Sequence, residues 1–226
     1  MHKMITLSAM ALFALAACAQ ETSTITSVYD LSLYPSCAEV QDPSSATDGC
    51  VLFDEAITHA LLATSADGAT EVQIVADGEA GQLIQEPSTA PSFIPALQDV
   101  NGDAMPDLLI PLSLANVNTV WAAYIAGPDA TYSRRGEFAS NGWGTTSDGL
   151  FAVFARSSAA AVEVTYYNFD AGGMTPVAVL VTEMSEDGSQ TCRRIDQPAA
   201  GSTAPSVETA ESGFCSDPMI ATMFSE

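Results

Sequence analysis

"LQDVNGDAMPDLLIPL", residues 97–112, places Asp99, Asn101, Asp103 and Asp107 within nine residues and then runs at once into an apolar stretch. Counted from Asp99, side-chain oxygens fall at positions 1, 3, 5 and 9 and the Met105 carbonyl at position 7, the spacing at which a tight loop surrounds a hard cation such as calcium. Three carboxylates this close repel one another unless a cation lies between them; the plainer alternative is a solvated acidic turn. Position 6 is Ala104 rather than glycine and position 12 is Ile110 rather than a bidentate glutamate, so the loop is not the helix-flanked EF-hand. The run from Asp107 to Leu112 reads as a strand. The pattern is a loop feeding a sheet.

Similar runs continue in both directions. "TEVQIVA" ends at Asp77-Gly78, "GQLIQE" at Pro87, "NTVWAAYIA" at Gly127-Pro128-Asp129, "AVEVTYYNF" at Gly172-Gly173 and "TPVAVLVTEM" before Asp187-Gly188. Short β-branched and aromatic runs punctuated by Gly, Pro and Asp predict an all-β antiparallel meander, arranged as a sandwich or propeller-like, with one calcium loop. In "AVEVTYYNF", Val162, Val164, Tyr166 and Asn168 share one face and Glu163, Thr165, Tyr167 and Phe169 the other. Neither face is purely polar, so this strand is expected to be covered on both sides or to border a groove. "CVLFDEAITHALLAT", residues 50–64, fits a helix or a strand equally well.

The N-terminus has a different character. A short basic start at His2 and Lys3 leads into an apolar run from Ile5 to Ala17, too short to span a membrane, as expected of a secretory signal. Its end, Leu15-Ala16-Ala17-Cys18, resembles a bacterial lipobox, which implies cleavage after residue 17 and lipidation of Cys18. Ala19 in place of aspartate implies, by resemblance to enteric sorting, the outer membrane, facing the periplasm. Residues 18–36, rich in Ser and Thr, are expected to be a lipidated tether, and 37–226 a single all-β domain.

Removing the leader removes the one lysine, leaving five arginines against 28 carboxylates, a formal charge of −23. Nucleic acid and anionic lipid headgroups are poor partners for such a surface; cations and basic protein surfaces suit it. Cys37, Cys50, Cys192 and Cys215 remain after Cys18, an even number in an oxidising compartment, and imply two disulfides with three possible connectivities. Sequence proximity favours Cys37 with Cys50 and Cys192 with Cys215, the first closing a loop worth about 3 kcal/mol. The Pro-, Ser- and Thr-rich stretch from Gln197 to Ser212 reads as a surface loop spanned by the second bridge.

The core "DVNGDAMPDLLI" closely resembles the calcium-binding FG-GAP or VCBS-type repeat of integrin α-chains and bacterial surface proteins, here in one copy. With "GQLIQ" upstream and "WAAYIAG", "RRGEF" and "VEVTYYNFDAGG" downstream, the order of segments resembles small periplasmic lipoproteins built around a single such repeat. Some of that group resemble lysozyme inhibitors and act as immunity proteins against peptidoglycan-cleaving effectors. The resemblance implies a propeller-like all-β fold, bound Ca2+ and a protein partner.

Catalytic chemistry finds little support. His59 is the one histidine of the mature chain, its cysteines are expected to be bridged, and no GxSxG occurs. Carboxylates for a glycosidase are plentiful, but nothing singles out a pair. Calcium held by Asp99, Asn101, Asp103, Met105 and Asp107 is nearly saturated and acidifies water far less than zinc, so its expected role is to brace the sheet. Arg134, Arg135 and Trp143 are the candidate partner-binding residues, weighed against internal ion pairing for the arginines and packing over the sheet end for Trp143. The expectation is a non-enzymatic, calcium-stabilised lipoprotein module that binds a protein, a peptidoglycan hydrolase being the candidate. The alternative is a structural or adhesive envelope module organising surface proteins or glycans.

Overall fold

A computed structural model describes residues 29–40, 49–92, 94–195 and 213–222. The expected signal peptide, Cys18 and most of the tether lie outside these residues, as does the 197–212 loop. Among the described residues, thirteen strands form three antiparallel sheets: β1 (Cys50–Leu52), β2 (Ala60–Ala66), β3 (Ala69–Ala76) and β4 (Glu79–Pro87) in the first. The second holds β5 (Ala96–Gln98), β6 (Asp107–Ala115), β7 (Asn118–Gly127) and β8 (Thr131–Ser140). The third holds β9 (Gly142–Thr145), β10 (Phe151–Arg156), β11 (Ala161–Asp170), β12 (Gly173–Met184) and β13 (Gln190–Arg194). Each is a meander in chain order, so the fold is all-β as the punctuated runs predict.

Local chemistry sets the hairpins. Asp67-Gly68 and Asp77-Gly78 both take positive φ at both positions, 48° and 79° then 53° and 81°, the two-residue turn whose twist matches that of the flanking strands. The ambiguous 50–64 segment resolves into β1, a connection and the start of β2, with its Val and Leu side chains paired across the sheet. Within the expected tether, the Tyr29 amide donates to the Gly78 carbonyl and the Val51 amide to Pro35, so residues 29–36 lie against the first sheet.

The middle sheet is buried on both faces. Leu108 and Ile110 of β6 join Leu61, Val72, Ile74 and Ile84 in the core shared with the first sheet. Leu109, between them, joins Phe138, Phe151 and Val153 in the core shared with the third. This is why "DLLI" runs apolar without alternation: a two-faced strand has no solvent side. The third sheet's far face, Val162, Val164, Tyr166 and Leu180, is covered by the C-terminal segment through Phe214, Met219 and Ile220. Tyr167 and Phe169 on the opposite face of β11 pack into the core with the middle sheet, so this strand is covered on both sides.

Both disulfides follow sequence proximity. Cys37 bonds Cys50, and Cys192 bonds Cys215, tying the C-terminal segment to β13.

Candidate functional site

The acidic stretch is the hairpin loop joining β5 to β6: Gln98 pairs with Asp107, and residues 99–106 close the turn. The loop's own side chains hold its shape. The Asp99 carboxylate accepts from the Gly102 amide at 2.7 Å and the Ala104 amide at 2.9 Å. The Asn101 side-chain oxygen accepts from the Asp103 amide at 3.0 Å, and Asp103 accepts from the Met105 amide at 2.8 Å. Each is an Asx-type turn, in which a short carboxylate or amide folds back onto the chain two or more residues on. Ala104, where an EF-hand has glycine, takes a φ of 65°, so the left-handed corner is kept without the glycine.

Asp107 differs from its neighbours in depth. It is fully buried, and its two oxygens accept from the Val100 amide at 2.9 Å and from the Ala126 amide at 2.8 Å. It thereby ties the start of the loop to the end of β7. Burial pushes its carboxyl up to about 6, against the pull of those two amides and with the help of the nearby Asp103 and Asp99 charges.

In kind, these donors fit calcium: three carboxylates, an amide oxygen and the Met105 carbonyl are the oxygens a hard cation takes. In placement, the carboxylates are turned onto backbone amides. Among the described residues no three His, Cys, Asp or Glu side chains are gathered as a metal-holding group. The residues that would hold a cation are Asp99, Asn101, Asp103, Met105 and Asp107; the side-chain oxygens that accept from amides each keep a second lone pair.

The loop does not stand alone. Thr145 donates its hydroxyl to the Asp99 carbonyl at 2.6 Å, and Gly102 lies so close to Gly149 that a Cβ there would sit 3.1 Å from the Gly149 Cα. The β9–β10 turn, residues 145–150, is therefore packed against the acidic loop. The Thr146 hydroxyl accepts from the Leu150 amide and its carbonyl from the Gly149 amide, which fixes the turn from within.

The other candidate residues occupy separate places. Trp143 is half-buried and meets Trp121 edge-on at 4.8 Å and Phe138 at 6.1 Å, in an aromatic row continued by Phe151 and Phe169. Arg134 donates through Nε to Glu86 at 2.6 Å and also pairs with Glu137. Arg135 donates to the Ala171 carbonyl at 3.1 Å. None of the three lines the acidic loop. His59 is buried and shares a hydrogen bond with the Tyr132 hydroxyl at 3.0 Å; burial lowers its pKa.

Nothing local in the sequence marks the 145–150 turn, Asp148, Asn168 or Phe214 as part of a site. A turn signal was present in Ser147-Asp148-Gly149. That this turn meets residues 99–102 is a long-range fact, set by the stacking of the second and third sheets.

No protein-family model matches the chain, and no curated protein does. Among solved structures, it is similar to one described as "Structure of a Xanthomonas Type IV Secretion System related protein", at 9% identity and a TM-score of 0.45. That likeness covers 67% of this chain and 94% of the other. At that level it carries no argument about function.

Proposed function

We propose that the chain is a lipid-anchored, calcium-stabilised lipoprotein of the outer membrane, facing the periplasm, that works by binding a protein, a peptidoglycan hydrolase being the candidate partner. The observation that carries this reading is the joint between the acidic loop and the 145–150 turn. There, oxygen-bearing side chains from two sheets meet at a surface hollow lined by Asp99, Asn101, Asp148 and Asn168. Calcium in the loop would offset the repulsion of Asp99, Asp103 and Asp107 and hold that joint still, which favours binding by reducing what must be ordered on contact. The strongly acidic mature chain suits a basic partner surface.

Two measurements test it. The purified protein is used to capture partners from an envelope extract with calcium present, and the reading expects a peptidoglycan-cleaving enzyme whose activity falls on binding. Capture of scaffold components instead would favour an envelope-organising module, and muropeptide release by the protein itself would make it a hydrolase.

A further inference from the structure

We propose that the 145–150 turn stands at the centre of a two-part trough that seats a basic side chain of the protein partner together with the apolar residue beside it. This rests on the partner-binding reading above and names the site and the chemistry it takes.

Two hollows flank the turn. The first, about 600 Å³, is walled by Asp99, Asn101, Asp148 and Asn168. The second, about 560 Å³, has Leu150, Phe214, Pro218 and Met219 as an apolar floor and Asp148 and Asp217 at its rim. Thr145, Thr146, Ser147, Asp148 and Leu150 line both, which makes them one continuous trough, polar and acidic at one end and apolar at the other. No Arg, Lys or His lines either half among the described residues.

The carboxylates are not equivalent. Asp99 is occupied by the Gly102 and Ala104 amides, and Asp217 accepts from the Met219 amide and the Tyr166 hydroxyl. Asp148 is exposed, stands where the two halves meet, and has no ion pair among the described residues. A guanidinium or ammonium placed there meets Asp148 directly, with the Asn168 amide oxygen as a further acceptor. An aliphatic stem or a neighbouring apolar side chain then lies on Leu150 and Phe214. An acidic segment is repelled at the same place.

The walls are already set. Thr145 is bonded to Asp99, and the floor is tied down by the Cys192–Cys215 bridge and by Phe214 packed on Tyr166 at 4.6 Å. A trough fixed in this way loses little freedom when filled.

The test is a titration of the purified, 15N-labelled protein with acetyl-Arg-Phe-amide, acetyl-Glu-Phe-amide and acetyl-Arg-Gly-amide, followed by amide chemical shifts, with a chitin oligosaccharide as a separate arm. The expected result is shifts confined to residues 99–103, 145–150 and 213–219, with Arg-Phe binding about tenfold more tightly than either control, a difference of about 1.4 kcal/mol. Asp148→Asn, at an exposed position, is expected to remove the preference over the Glu-Phe peptide, and to leave that over the Arg-Gly peptide, without lowering the melting temperature. Shifts centred elsewhere, equal binding of the Glu-Phe peptide, or filling of the trough by the oligosaccharide in place of the peptide would overturn the proposal. In the envelope capture, partner release by millimolar Arg-Phe amide supports the trough, and a partner that the peptide does not release refutes it. Failure of the partner reading shows separately, as no capture by a protein that still binds the dipeptide.

Discussion

Glu86 and Asp107 are the two buried carboxylates among the described residues, at 7% and 0% exposure, and they are satisfied in opposite ways. Glu86, on β4, accepts from the Tyr124 hydroxyl and from Arg134 Nε, both at 2.6 Å. Its counter-charge comes from β8, so the pair joins the first sheet to the second with charge already balanced, and the bond to Glu86 raises the Arg134 pKa further. Asp107, on β6, has two backbone amides and no cationic side chain, while Asp99 and Asp103 add to the negative charge near it. A self-contained ion pair has no need of anything from solution. A buried carboxylate facing only amides and other carboxylates is stabilised by whatever positive charge the loop can acquire, and the proposed calcium is that charge.

The largest effect expected from this contrast is at Asp107. Asp107→Ala strips the acceptor from the buried Val100 amide and the half-buried Ala126 amide at once, each costing about 1–3 kcal/mol, so a loss of about 3–5 kcal/mol is expected in chemical denaturation. Glu86→Ala leaves the Tyr124 hydroxyl without its acceptor, but Arg134, whose side chain is 40% exposed, can turn to water, and about 1–3 kcal/mol is expected. If Glu86→Ala proves the more damaging of the two, the loop is not the tighter joint and the comparison fails.

Calcium sharpens it next. At a free concentration a hundred times its Kd, a ligand that binds only the folded protein stabilises it by about 2.7 kcal/mol. Melting is expected to rise with calcium and to fall in EDTA, with the response lost in Asp99→Ala and Asp103→Ala. Glu86→Gln should melt lower than the parent yet keep the full calcium response, since its charge is matched internally. A melting curve indifferent to calcium and EDTA would leave the loop held by its Asx turns alone.

Much of this was legible in the chain. The Asp-Gly turns, the strand after Asp107 and the disulfide pairs follow from local chemistry and proximity, which act within a few residues. Both-sided burial of "AVEVTYYNF" was also readable, because neither of its faces is polar. The Glu86–Arg134–Tyr124 cluster was not, since its members lie 38 and 48 residues apart and meet only because β4 packs across the middle sheet. The meeting of Asp99 with Thr145, 46 residues on, is of the same kind: no periodicity encodes which hairpin end two stacked sheets bring together. The acidic loop announced itself by composition, whereas the turn completing the hollow is an ordinary Ser-Asp-Gly turn until the fold places it.

The smallest expected effect lies in pH, at the seam where His59 meets Tyr132. Burial lowers the His59 pKa below its ordinary 6.5, so the folded protein holds this ring neutral at a pH where the unfolded chain protonates it. The unfolded state therefore binds more protons, and stability is lost as pH falls through the ordinary value toward the folded one. Asp107 contributes with the opposite sign: its folded pKa of about 6 lies above the unfolded 3.8, so its share grows as pH falls through 6 toward 3.8 and is lost as pH rises through 6. In EDTA the wild-type slope below pH 6.5 is thus a difference of two contributions, and single variants separate them. His59→Gln keeps a partner for the Tyr132 hydroxyl without a titrating ring, and is expected to make stability rise more on acidification than in the parent. Asp107→Asn is expected to make it fall more steeply. Denaturation midpoints of the three proteins from pH 5 to pH 8 check both signs; parallel curves for His59→Gln and the parent would show that the buried ring has no hold on the pH dependence.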